Sequence, residues 1–118
     1  LLVRTGNYRM RLNNPPARAL EPMTACQVAC TPLFKERGVA MLGTDTSNDF
    51  RPSHYSTIGS PLHIMCLVTL GLWLIDNANL EELAGACAQR NRYEFMLTLA
   101  PLRLRNVTGS PVSPIALF

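Results

Sequence analysis

Val39-Ala40-Met41-Leu42-Gly43-Thr44-Asp45 is an apolar run that meets a glycine and then turns polar. Val39 to Leu42, ended by Gly43, reads as a buried strand. Immediately upstream, Thr24 can cap a helix over about Ala25 to Arg37, with Cys26, Cys30, Leu33 and Phe34 as its apolar stripe. Gly38 suits the position just past the end of that helix. Leu1-Leu2-Val3-Arg4-Thr5-Gly6 reads as a further strand that enters a turn. Asn13-Asn14-Pro15-Pro16 reads as a loop, because two prolines remove two donors and restrict what precedes them. Strand, helix and strand in that order predict an α/β fold.

Downstream, Thr44 to Pro61 is rich in Asp, Ser, Asn, Pro and Gly and reads as a long irregular loop, a kind that is usually functional or disordered. His63 to Leu70 is apolar and broken by Gly71, which predicts a short buried helix and then a strand over Leu72 to Ile75. Asn79 caps a second helix from Leu80 to about Gln89, with Leu80, Leu83, Ala84 and Cys87 on one face. Glu81 and Glu82 suit its first turn. Tyr93 to Leu99 alternates as a strand does, with Phe95 and Leu97 opposite Glu94 and Met96. Arg103 to Pro114 is a turn region, and Ile115 to Phe118 is placed to close the sheet. The expectation is one domain over residues 1–118.

The 118 residues are 47% hydrophobic and 16% charged, a globular balance. The net charge of +3 comes from scattered arginines, with Arg9/Arg11 and Arg103/Arg105 among the i,i+2 pairs that would share a strand face. That is too sparse for a nucleic-acid footprint. The four cysteines form no C-x-x-C pair and sit among apolar residues, as reduced core thiols of a cytoplasmic protein do. The apolar run from Ile64 to Ile75 falls short of a membrane span, so no membrane partner is expected. The chain begins without Met, which suggests processing or a start inside a longer reading frame.

The polar inventory is small. The loop holds Asp45, Asp49 and His54, His63 follows it, and Asp76 ends an apolar strand, the usual place for a functional side chain in an α/β sheet. Imidazole and carboxylate together can bind a transition metal or share proton transfer. The structural alternatives are ordinary: Asp45, Asp49 and Asp76 as turn residues, His54 as a surface residue, His63 as a polar residue at a helix start. No G-x-S-x-G, H-E-x-x-H, Walker or G-x-G-x-x-G motif is present. Ser110 in Thr108-Gly109-Ser110-Pro111 has no nearby His in sequence to activate it.

From Val39 to Asp45 onward the residues resemble a known family. The likeness continues through Asn48-Asp49, Pro52-Ser53, Pro61-Leu62-His63, Gly71-Leu72-Trp73-Leu74-Ile75-Asp76-Asn77 and Leu80-Glu81-Glu82-Leu83-Ala84. It ends with Tyr93-Glu94-Phe95, Ala100-Pro101-Leu102-Arg103-Leu104 and Thr108-Gly109-Ser110-Pro111-Val112, and Leu2 to Gly6 looks like the family's central strand. The chain resembles the C-terminal portion of the cyclase family of metal-dependent hydrolases, the group that includes kynurenine formamidase and related amide, ester and lactone hydrolases.

The resemblance implies a swivelling β/β/α domain, incomplete here, with a central mixed or antiparallel sheet, flanking helices and homo-oligomeric assembly. It implies hydrolysis of a small-molecule amide or ester with zinc or manganese as cofactor. By position His63 and Asp76 correspond to the family's later metal and catalytic residues, Asp76 standing where Glu is usual. Ser113 stands where Asn is typical. His54 and Asp45 are the further donors that the loop offers. The family's main metal motif, H-x-G-T-H-x-D-x-P-x-H, occurs nowhere in these residues, which hold two histidines in all. A fragment or truncated hydrolase is therefore the first expectation. A non-catalytic α/β oligomerisation module derived from the same family is the alternative.

Overall fold

A computed structural model describes residues 1–14 and 24–118. They group into two compact units, Leu1–Glu81 and Glu82–Phe118. The first unit holds strands β1 (Leu2–Val3), β2 (Met41–Thr44) and β3 (Trp73–Ile75), in spatial order β1-β2-β3. Both pairings are parallel, with Leu2 opposite Gly43 and Gly43 opposite Ile75. This corrects the expected mixed or antiparallel sheet. Parallel neighbours need long crossovers, and the segments between these strands carry helices. Among the described residues, antiparallel pairing occurs only in the second unit.

Helix α1 (Asn7–Asn13) follows β1 and was not expected from the sequence. It places Arg9 and Arg11 on a helix rather than on one face of a strand. Asp45 holds its N-terminus from across the sheet. Its carboxylate accepts from Thr5 N–H and Thr5 Oγ1 at 2.7 Å each, Gly6 N–H at 2.9 Å and Tyr8 N–H at 3.3 Å. The expected loop at Asn13–Pro16 lies partly outside the described residues.

The helix expected from Ala25 is shorter. Thr24 does not cap it, and Cys26 makes an isolated parallel bridge with Asp49. A 3-10 turn over Val28–Cys30 then leads into α2 (Thr31–Glu36), where Phe34 is buried and Leu33 is exposed. Gly38, at φ 60°, ends the helix as expected, and Val39 N–H reaches back to Phe34 O at 2.9 Å.

Gly43 lies inside β2 rather than ending it. A Cβ there would come within 2.5 Å of Leu2 Cδ2, so the bare backbone lets β1 approach. Helix α3 (Pro61–His63) runs on into a π-wound stretch, Ile64–Leu70, closed by Gly71 in the left-handed conformation. This element is not buried throughout: Leu62 and Cys66 face the core, whereas Ile64, Leu67 and Val68 are exposed. Phe34, Leu42, Leu62, Cys66 and Leu72 form the buried cluster that joins β2 to the flanking helices.

The start of α4 (Glu81–Arg90) is capped as expected, Asn79 Oδ1 accepting from Glu81 N–H at 3.2 Å. In the second unit Cys87 is buried on this helix. Strands β4 (Met96–Thr98) and β5 (Ile115–Leu117) form a separate antiparallel ribbon, so β5 pairs with β4 and does not close the three-stranded sheet. Phe95 packs on Phe118 with ring centroids 5.4 Å apart. Arg103 and Arg105 lie outside any strand.

The Asp45 cap has a pH signature. Burial opposes its charge, but the hydrogen bonds from Thr5, Tyr8 and Gly6 outweigh it and hold the carboxyl below its ordinary value. Its stabilisation is therefore complete above the unfolded pKa of about 3.9 and is lost as pH falls through the lower folded value. Asp45→Asn is expected to cost roughly 1–3 kcal/mol at pH 7, because charged acceptors make the stronger bonds. Urea unfolding of both proteins at pH 7 and pH 3 checks this, the difference shrinking at the lower pH.

Candidate functional site

The parallel sheet brings the ends of its strands to one edge. Thr5 and Gly6 follow β1, Asp45 follows β2 and Asp76 follows β3. Carboxyl ends of parallel strands are where α/β sheets hold ligands. Asp45 is fully buried and employed by α1, both of its oxygens engaged. Asp76 is exposed.

Asp49, 1% exposed, lies in the loop after β2. Its Oδ1 accepts from Leu62 N–H at 2.7 Å and its Oδ2 from His63 N–H at 3.3 Å, so it caps α3 from a distance. The same Oδ2 lies 2.5 Å from His63 Nδ1, a short hydrogen-bonding contact. The other ring nitrogen, Nε2, lies 3.1 Å from Asp76 Oδ2. Asp49, His63 and Asp76 thus form a line with the imidazole at its centre.

Asn48 completes the arrangement. At φ 59° it occupies the left-handed region that Asn tolerates better than most residues. Its buried Nδ2 donates to Ile75 O at 2.9 Å and to Asp76 Oδ1 at 2.7 Å. Two acceptors on one nitrogen fix the orientation of the amide. Asp76 is left with Oδ2 turned to His63.

The donor chemistry suits part of a metal centre. Two ligands about 2.0–2.1 Å from one tetrahedral ion lie about 3.3 Å apart, close to the 3.1 Å between Nε2 and Oδ2. A carboxylate on the remote nitrogen of a ligating His is the usual supporting contact. Among the described residues, no group of three or more His, Cys, Asp or Glu could hold a metal ion. The pair supplies two donors, fewer than the three protein ligands usual at a catalytic zinc. His54, the other expected donor, is exposed and packs edge-on against Phe50 at 4.9 Å between ring centroids. It lines a small cleft with Cys26, Ser53, Tyr55 and Pro61.

Asp49 and Asn48 are the residues whose importance the sequence understated. Asp49 was one of two loop carboxylates, and Asn48 had no chemistry of its own. Their adjacency to a strand end was the available signal.

All four cysteines are free. Burial, then the nearby charges of Asp49 and Cys26, push the Cys66 thiol above its ordinary range. Burial and Cys30 do the same for Cys26. Thiolate is the reactive form. Iodoacetamide at pH 8 is therefore expected to leave Cys66 unmodified in the folded chain and to label it in urea, as read by peptide mass spectrometry.

Among the described residues no helix is long and apolar enough to cross a membrane. No family model and no curated protein matches the chain. The chain is similar to a solved crystal structure described as a novel cyclase, with a TM-score of 0.87 and 34% identity. The match covers 100% of this chain and 39% of that one, so the chain spans well under half the length of the protein it resembles. Over its whole length it shares the fold of part of a cyclase.

Proposed function

We propose that the chain is part of a cyclase-family, metal-dependent hydrolase of small-molecule amide or ester bonds, resembling kynurenine formamidase, with His63 and Asp76 in its reactive centre. The observation that carries this reading is the 3.1 Å approach of His63 Nε2 to Asp76 Oδ2 at the carboxyl edge of a parallel sheet. The likeness to a cyclase supports it. His63 and Asp76 would hold a zinc or manganese ion together with ligands from outside this pair. When bound, such an ion supplies Lewis acidity toward the scissile carbonyl. The protein's own part is to present an imidazole and a carboxylate side by side. Asp49 keeps the ring in place, and Asn48 keeps the carboxylate turned toward it.

Turnover of formyl-kynurenine and short acyl esters by the purified chain is expected to rise on addition of zinc or manganese. His63→Ala and Asp76→Ala are each expected to lower kcat/KM by roughly a hundredfold or more, the scale of losing a positioned catalytic group. A folded sample with no metal-responsive turnover, or variants as active as the parent, would overturn the proposal.

A second feature favours self-association, which the alternative oligomerisation module also requires. Val68 is 80% and Trp73 64% exposed, and Ile64 and Leu67 are exposed beside Val68 on the same π-wound element. Apolar side chains grouped in this way mark interaction surfaces. Sedimentation velocity is expected to show a homo-oligomer that Val68→Asp dissociates. A monomer at all concentrations would refute it.

A further inference from the structure

Asn48 and Asp49 are adjacent in sequence, and each holds one half of the candidate centre. We infer that this dipeptide is the positioning element of the site, Asp49 setting the tautomer of His63 and Asn48 setting the rotation of Asp76. The inference rests on the proposed pairing of His63 with Asp76, but it concerns residues that touch neither substrate nor metal.

Three observations carry it. Both ring nitrogens face a carboxylate oxygen, but Asp49 is buried and lies 2.5 Å from Nδ1, against 3.1 Å between Asp76 and Nε2, so in the neutral ring the proton belongs on Nδ1. That leaves the lone pair of neutral His63 on Nε2, the atom beside Asp76. Asp49 also accepts from the His63 backbone N–H, so ring and backbone are located by one carboxylate. Asn48 Nδ2 binds Asp76 Oδ1 and the Ile75 carbonyl together, which ties the carboxylate to the end of β3. Two neighbouring side chains therefore fix the two torsions that bring Nε2 and Oδ2 to 3.1 Å. The left-handed backbone at Asn48 lets consecutive side chains reach different elements.

The isosteric change Asp49→Asn discriminates this role from a purely structural one. Its carbonyl can still accept from Leu62 N–H, while its amide NH2 faces Nδ1 and demands an acceptor there. The proton then moves to Nε2, which closes the donor atom. Long-range 1H–15N spectra of the purified chain, at a pH where the ring is neutral, are expected to show His63 as the Nδ1–H tautomer. Asp49→Asn should show the Nε2–H tautomer. Asn48→Gly keeps the left-handed backbone and is expected to leave the tautomer unchanged.

Zinc binding by calorimetry is expected to weaken about 10- to 100-fold in both variants, the usual effect of losing a supporting contact. Circular dichroism checks that each variant is folded. If His63→Ala and Asp76→Ala leave zinc binding as it was, the proposed centre fails, while the tautomer experiment still decides the role of Asp49. If those two abolish binding but Asp49→Asn changes neither tautomer nor affinity, the positioning role fails and the centre stands. Should Asn48→Gly unfold, the tautomer and affinity of Asp49→Asn alone decide.

Discussion

The Asp49 carboxylate is almost wholly removed from water, yet it is surrounded by donors: two backbone N–H groups at the start of α3 and the imidazole of His63. Burying an ionised group is costly unless such partners replace its hydration. Once they do, the group becomes hard to move. Three features thereby share one anchor: where the loop after β2 ends its path through the interior, where the next helix begins, and which way its histidine points. The loop region from Thr44 is accordingly not loose at its start, where Asp45, Thr46, Asn48 and Asp49 are buried.

Two aspartates at the strand edge show how environment separates a committed carboxylate from an available one. Asp45 and Asp76 each follow a parallel strand directly. Asp45 receives four hydrogen bonds from the β1–α1 turn, so its charge is committed to the start of a helix. Asp76 receives one bond on one oxygen from Asn48 and keeps the other beside an imidazole, with an exposed side. The same residue type at the same topological place is spent as a cap in one case and left available in the other. Donor supply makes the difference, not sequence position.

The fold leaves substantial apolar surface uncovered. In the first unit the buried cluster is small, and Trp73 on β3 lies at the edge of a three-stranded sheet. In the second unit the outward residues of the β4–β5 ribbon, Met96, Ile115 and Leu117, are also exposed. A two-stranded ribbon is marginal by itself. The matched cyclase is much longer than this chain.

The α/β class, β3, the capped helix after Asn79, the Gly38 helix end and the alternation around Phe95 were legible because each follows from residues close together in the chain. Periodicity and caps are local signals. Helix α1 was not legible, since its cap is supplied by Asp45 about forty residues on, and no nearby residue announces it. Gly43 read as a strand end because its real use, the close approach of Leu2, depends on strand pairing. The sheet direction was likewise decided by how the crossovers pack. For the site, the sequence by itself supplied the donors, His63 and Asp76, thirteen residues apart. Only the tertiary structure turned Nε2 toward Oδ2 and recruited Asn48 and Asp49 to hold them there, because hydrogen-bond geometry between separate elements exists only once the sheet has assembled.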